Sequence, residues 1–111
     1  MRLWFASVLW LFAHELSAKN GALLFHGNCT TCHYTTEAKS APSMQEIQKR
    51  YLLAFPNQQE FVKYMAAFIV RPNEDISIMG DKIKKYNIMP ILGYEESVAK
   101  EIASYIYKTK F

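Results

Sequence analysis

Apolar residues recur along this chain with the three- and four-residue spacing of amphipathic helices. The clearest segment begins after Ser43 and Glu46, which have the spacing of a capping box, and it ends before Pro56. Its apolar face consists of Met44, Ile47, Tyr51 and Phe55. The pattern therefore predicts a helix between residues 43 and 56.

Two further helices show the same periodicity. Asn57 and Glu60 have capping spacing before the second helix, and Pro72 follows its end. Its apolar face consists of Phe61, Tyr64, Met65, Phe68 and Ile69. The last helix is predicted over about residues 95–109, with acidic residues at its positive N-terminal end. Its apolar stripe consists of Val98, Ile102, Tyr105 and Ile106.

The remaining segments predict shorter elements. Asn20 is a candidate cap for a short helix over about Gly21 to Gly27, and the aperiodic residues 34–42 predict a loop. Residues 73–89 are mixed in character, with one or two helical turns predicted around Asp81–Tyr86. No segment shows the convincing alternation of a β-strand, so we expect an all-α fold of about four to five helices.

The N-terminal residues 1–18 differ from the rest of the chain. An apolar run from Leu3 to Ala13, interrupted once, follows the basic Arg2, and small residues close the segment. This order is typical of a secretory signal peptide. A membrane-spanning helix does not fit, because a run of this length rises only about 16 Å as a helix, whereas the hydrocarbon core is about 30 Å thick. We therefore expect a signal peptide over 1–18, one domain over 19–111, and export to the periplasm. Without cleavage, the segment would tether the protein to the membrane.

Composition and charge narrow the functional classes. Hydrophobic residues make up 50% of the chain, which suits one packed domain and excludes wholesale disorder. The net charge is only +3 and the basic residues are scattered, so we expect no nucleic-acid binding. Lys82, Lys84 and Lys85 form a local basic cluster, which is either a docking surface for an acidic partner or a solvated helix face.

The motif that carries chemistry is Cys29-Thr30-Thr31-Cys32-His33. C-x-x-C-H is the signature of c-type haem attachment, in which the two thiols add to the haem vinyl groups and the histidine lies under the iron. A zinc site needs four ligands, and no second cysteine pair is present. A thioredoxin-like redox pair follows a strand, and a disulfide here would close too small a loop to stabilise the chain. We therefore predict one covalently attached haem c.

The residues around this motif resemble the start of a class I cytochrome c, with the pattern Gly21-x-x-x-Phe25-x-x-x-Cys29-x-x-Cys32-His33. The resemblance extends in order from about residue 19 to residue 109 and implies the cytochrome c-like fold around one haem. It also implies that Gly21 and Phe25 pack against an aromatic residue of the last helix, where Tyr105 stands.

Two further elements follow in the order of that family. Ala41-Pro42 resembles the proline whose carbonyl accepts a hydrogen bond from Nδ1 of the proximal histidine, here His33. Such a contact fixes the ring and raises its basicity. Met89-Pro90 resembles the axial-ligand motif before the last helix. The resemblance thus implies Cys29 and Cys32 as attachment sites, and His33 and Met89 as iron ligands.

The sixth ligand has two candidates, Met89 and Met79, in one segment of the chain. Met89 is favoured because of its Met-Pro context and its distance from the last helix, and Met79 stays the alternative. Met44 and Met65 are expected in the core, where methionine fills irregular space. His26 is expected to be a partly exposed helix residue, because it precedes the attachment motif on the same segment.

The resemblance implies one-electron transfer by an iron with both axial positions filled. We therefore expect no enzymatic activity and no small-molecule substrate. The expected partners are redox proteins that dock transiently, and membrane redox complexes are among the candidates. Two alternatives remain: a haem module whose labile methionine lets it act as a gas or peroxide sensor or weak peroxidase, and a tethered electron-entry subunit.

The chain departs from the family pattern in two ways, the lack of a tryptophan after residue 18 and the glycine at position 93. Both tryptophans precede residue 19, so Tyr51, Tyr64 and Tyr86 are the candidates to hydrogen-bond a haem propionate. Gly93 occupies the place where a serine or threonine cap of the last helix is common, which predicts a weaker cap.

Overall fold

Five α-helices, without any β-strand, make up the regular structure of residues 20–111, the part of the chain that the computed structural model describes. They are α1 (residues 20–28), α2 (Met44–Ala54), α3 (Gln58–Val70), α4 (Gly80–Tyr86) and α5 (Glu96–Lys108), and a 3₁₀ turn (Glu74–Ile76) precedes α4. The predicted all-α fold is confirmed, and the predicted signal peptide lies outside the described residues. No helix in the described part is long and apolar enough to cross a membrane.

The N-terminal caps of α2 and α3 form as their sequences predict. The Ser43 hydroxyl accepts a hydrogen bond from the Glu46 amide at 3.2 Å, and Asn57 Oδ1 accepts one from the Glu60 amide at 2.9 Å. Each contact pairs one of the backbone donors that a helix start leaves without an intrahelical partner. Both helices therefore begin where local side-chain chemistry fixes them.

Two predicted helix caps differ from the structure, although the range predicted for the last helix is correct to within about a residue. Asn20 lies inside α1 rather than at its cap. The N-cap of α5 is Glu95, with no side-chain capping bond, and Gly93 adopts a positive φ of 78° two residues earlier. This left-handed turn is open to glycine, and after it Tyr94 packs against the core before the helix begins. The weak cap is present, but two residues later than predicted.

Much of the core forms between α3 and α5, whose contact is the most extensive among helices α2 to α5. Its buried residues from these helices are Phe61, Met65, Ala66, Ile69, Ala99, Ile102, Ala103 and Ile106. The alanines let the two backbones approach closely, and Met44 and Tyr51 of α2 and Phe25 of α1 belong to the same cluster. Two residues of the predicted apolar face of α3 lie outside this cluster. Phe68 is only half-buried, and Tyr64 is 44% exposed with its ring stacked on Phe55 at 4.3 Å.

Helix α1 packs on α5 through the residues that the family resemblance singles out. A Cβ at Gly21 would lie 3.0 Å from the carbonyl oxygen of Glu101 and 3.2 Å from the Cβ of Tyr105, so only glycine fits without a shift. The rings of Phe25 and Tyr105 lie 5.2 Å apart. The predicted contact between the first and last helices is therefore confirmed, and it holds the segment that leads into the cysteine motif.

Candidate haem site

The cysteine motif folds as a tight turn that continues directly from α1. The amide of Cys29 donates to the carbonyl of Phe25, and the amide of His33 donates to the carbonyl of Cys29, each at 2.9 Å. Both are helix-like contacts across four residues, so the turn brings the two thiols and the imidazole together on one short segment. Cys29 and His33 are half-buried, Cys32 is exposed, and both cysteines are free thiols.

The imidazole of His33 is oriented by a single backbone contact. Its Nδ1 lies 2.8 Å from the carbonyl oxygen of Pro42. A carbonyl only accepts, so Nδ1 carries the proton and the lone pair of Nε2 is left for a metal. Burial lowers the pKa of His33, and the Pro42 hydrogen bond partly opposes this effect. The ring is therefore neutral at pH 7, which is the form that binds iron.

The loop between His33 and α2 is closed at its base. The amide of Met44 donates to the carbonyl of Tyr34, and the amide of Gln45 donates to the carbonyl of Thr35, both at 2.9 Å. These bonds join the first residues of the loop to the first turn of α2. The loop thereby brings Pro42 back to His33, although nine residues separate them in sequence. The predicted irregular segment over residues 34–42 is confirmed.

The donor set suits a covalently attached haem better than the other cysteine sites considered. Burial raises the pKa of Cys29 to about 11, whereas redox-active cysteines have a lowered pKa. Residues 20–111 contain no group of three or more histidine, cysteine or acidic side chains placed to hold a metal ion, as a protein zinc site requires. Two separate thiols beside an oriented imidazole are the groups that a haem c uses.

The methionines of the described chain differ in how fully the protein encloses them. Met44 and Met65 are core residues, as predicted. Met79 is also buried, with 7% exposure, and lies directly before α4. Met89 is only half-buried and lies in the irregular segment between α4 and α5. Of these four side chains, Met89 is therefore the one least enclosed by the polypeptide itself.

Exposed apolar side chains flank Met89 on both sides in sequence. Ile88 and Leu92 are substantially exposed, and Ile91 is 71% exposed. They extend the surface around Met89 with apolar groups that a porphyrin can cover. These three residues were not predicted as part of the site, although the apolar run around Met89, which has no helical period and ends at Gly93, indicates them.

The structure also shows the surroundings of His26 and of the three lysines in the predicted basic cluster. His26 is an exposed helix residue, as expected, and its Nε2 lies 3.2 Å from the hydroxyl of Tyr105. Lys82 does not belong to an open basic cluster, because its Nζ pairs with Glu46 at 3.2 Å. Lys84 and Lys85 remain exposed at the last turn of α4.

The three tyrosines considered for propionate binding have different environments. Tyr51 is buried between the rings of Phe55 and Phe61, and burial raises its pKa to about 12. Tyr64 stacks on Phe55, and the ring of Tyr86 lies 5.2 Å from the Lys85 ammonium group. Only Tyr51 is enclosed, so its hydroxyl stays protonated and able to donate well above neutral pH.

Comparison with known proteins agrees with this geometry. The family model described as "Cytochrome c" matches residues 18–110. No curated protein and no solved structure matched the chain. The match covers the cysteine motif, the loop that carries Pro42, and the segment that carries Met89. Such a domain binds haem c covalently and transfers electrons. The chain therefore belongs to the cytochrome c family, as a class I c-type cytochrome.

Proposed function

We propose that this protein is an exported one-electron carrier with a single haem c. In this proposal Cys29 and Cys32 would form the thioether links, while His33 and Met89 would hold the iron. The observation that carries it is the His33–Pro42 hydrogen bond at 2.8 Å beside two free thiols. That contact turns the unprotonated ring nitrogen away from the loop carbonyl and towards a ligand.

The residues of the chain perform three tasks in this proposal. Pro42 fixes the tautomer and the orientation of His33, so the ring stays in place in both oxidation states. The half-buried thioether of Met89 supplies a soft ligand that favours ferrous iron and raises the reduction potential relative to a second histidine. When bound, the haem iron supplies the one-electron couple. With His33 and Met89 both holding the iron, no coordination position would be left for a substrate, as expected of a carrier rather than an enzyme.

The proposed partners are redox proteins that dock briefly, with membrane redox complexes among them. Lys84 and Lys85 are exposed near Met89 in sequence and carry positive charge that attracts acidic surfaces. Electron-transfer interfaces are small and their complexes short-lived, which suits a few exposed side chains better than a large apolar patch. Nothing in the charge pattern favours nucleic acid.

The proposed location is the periplasm. It is supported by the basic start and the apolar run within residues 1–18. N-terminal sequencing of the exported protein tests this part directly, and we expect a start near residue 19. A mature protein that begins at Met1 would contradict cleavage and favour a membrane-tethered electron-entry subunit instead.

The ligand assignment is tested by the spectra of two matched variants. The wild-type protein, produced in a host that matures c-type cytochromes, should retain haem on a denaturing gel and show the weak far-red band of methionine–iron charge transfer. Met89→Ala should lose this band, whereas Met79→Ala should keep it, because Met79 is already enclosed by the protein. Loss of the band in Met79→Ala alone would reassign the ligand.

The same preparation separates the carrier from a sensor or peroxidase. With both axial positions filled, the reduced protein should bind carbon monoxide slowly, because the methionine must first leave. If the far-red band is absent at neutral pH and carbon monoxide binds at once, the iron has an open position and the carrier proposal is wrong.

A further inference from the structure

The segment between Met79 and Tyr94 has few attachments to the rest of the protein. No residue from Gly80 to Gly93 is buried, although this stretch contains all of α4 and Met89. Met79 anchors its beginning by burial, and Tyr94 packs on the core at its end. Segments with so few buried contacts open locally at a lower free energy than the core does.

Two ion pairs connect this segment to α2. Arg50 Nη2 lies 2.5 Å from Asp81 Oδ2, and Lys82 Nζ lies 3.2 Å from Glu46 Oε1. The hydrogen bond from Arg50 holds the pKa of Asp81 below its usual value. On each helix the acidic residue precedes the basic one, and each acidic residue pairs with the basic residue of the other helix. We call these two pairs the α2–α4 clasp.

We infer that the α2–α4 clasp positions the methionine segment and thereby keeps the sixth ligand on the iron. This inference rests on the proposed ligation by Met89. Asp81 and Lys82 lie in the first turn of α4, after the buried Met79 and before the half-buried Met89. Side-chain contacts from the first turn of α4 to α2 therefore fix the direction in which the rest of the segment leaves the protein body.

The arrangement of charges also makes the clasp reversible. Glu46 and Arg50 are four residues apart on α2, so they can pair with each other when α4 moves away. Asp81 and Lys85 have the same spacing on α4. The open form thus keeps part of its charge pairing, and screening by salt weakens the cross-helix pairs further. Loosening of the methionine should accordingly increase with ionic strength.

The test measures carbon monoxide binding to the reduced, haem-loaded protein, together with the far-red band of the oxidised form. Arg50→Glu and Asp81→Arg each place like charges opposite one another, and each should raise the binding rate about threefold or more. The double variant Arg50→Glu/Asp81→Arg restores the pair with reversed polarity, so its rate should return to within about twofold of the wild type.

Two controls separate the clasp from a general loss of stability. Lys100→Glu disrupts the Glu96–Lys100 pair on α5, which shares no group with the clasp, and it should leave the rate unchanged. Raising sodium chloride from about 10 mM to about 1 M should speed binding in the wild type. The same salt should have little effect on the Arg50→Gln/Lys82→Gln variant, which lacks both cations of the clasp.

The outcomes distinguish this inference from the function on which it rests. Single reversals that bind carbon monoxide at the wild-type rate, in a protein whose far-red band is intact, would overturn the clasp alone. A wild-type protein that binds as fast as Met89→Ala and has no far-red band would overturn the methionine ligation, and the clasp with it.

Discussion

At Gly21, α1 lies so close to α5 that the glycine hydrogen stands where any other residue would carry a carbon. The added methyl group of Gly21→Ala would meet a backbone oxygen at 3.0 Å and the Cβ of Tyr105 at 3.2 Å. Since backbone cannot rotate aside, the helices must separate, and we expect a loss of about 1–3 kcal/mol in the free energy of unfolding. Denaturant unfolding of the haem-loaded protein measures it.

Gly27 provides the matched control for this substitution. It lies in the same helix, and no atom stands within 4 Å of where its Cβ would be. Gly27→Ala should therefore be neutral or stabilising by up to about 1 kcal/mol, because alanine is the better helix former. Equal losses in the two variants would show that packing against α5 is not what selects glycine at position 21.

Tyr51 gives stability a dependence on alkaline pH. Burial raises its pKa from 10.0 to about 12, so between these values the unfolded chain loses a proton that the folded protein keeps. Stability is therefore fully present below about pH 10 and decreases as the pH rises to about 12, by about 3 kcal/mol for this one group. The difference in unfolding free energy between the wild type and Tyr51→Phe, followed over this range, measures the contribution. A difference that does not vary with pH would contradict it.

Some contacts of individual site residues could be predicted from the sequence, and others could not. The His33–Pro42 hydrogen bond follows from a motif and a short loop, so the family resemblance was sufficient to expect it. The pairing of Lys82 with Glu46 was not predicted, because it joins side chains on different helices whose relative position no local pattern specifies. Helical spacing also placed Tyr64 on an apolar face, but the residue is exposed. The spacing within one helix does not show where the neighbouring helix α2 lies.

At the scale of elements, helix α5 is fastened to α2 through its own C-terminal end. Gln48 Nε2 donates to the carbonyl of Ile106 at 2.7 Å and to that of Thr109 at 2.5 Å. These are carbonyls of the kind that a helix end leaves without intrahelical partners. One side chain of α2 thus pairs the free carbonyls at the last turn of α5. Helix α5 is in turn one of the two helices that form the core contact with each other, the other being α3.

Removal of this amide tests how much the connection contributes. Gln48→Ala should lower the free energy of unfolding by about 1–2 kcal/mol and speed hydrogen exchange in the last turn of α5. Gln45→Ala is the control, because Gln45 reaches only the carbonyl of Phe111, at 3.5 Å. Losses of equal size would mean that the Gln48 contacts carry no special weight.

The elements themselves were largely predictable because their signals are local. The two capping pairs and the prolines after α2 and α3 placed those helices to within about a residue or two. The range of α5 was predicted to within about a residue, but its cap was not, since Glu95 makes no side-chain capping bond and Gly93 lies in a turn before the helix. The contacts of Gln48, some 60 residues away in sequence, leave no periodic trace at all.

For the whole molecule, the covalent haem attachment should decide how much folded protein is recovered. Cys29→Ala and Cys32→Ala each leave at most one thioether, so we expect much less mature protein and weak haem staining on a denaturing gel. Without haem, a small helical domain lacks a large apolar group in its interior. The near-ultraviolet circular dichroism of the haem-free cysteine variants should therefore show loose packing.

Thr31 offers a control inside the same motif. It is exposed, and its replacement by alanine keeps both thiols and the histidine. Thr31→Ala should mature normally. Full haem incorporation in both cysteine variants would show that the motif has another role.

The contact between α1 and α5 also determines the order in which this chain can fold. His26 and Tyr105 meet although 79 positions separate them in sequence, so the first helix finds its partner only when the last has been made. Closing a loop of this length costs more chain entropy than forming a local contact, which delays the step. Until then, Cys29 and Cys32 remain on a segment that has not docked. The thiols are thus accessible before α5 docks, and docking of α5 then holds the first helix in place.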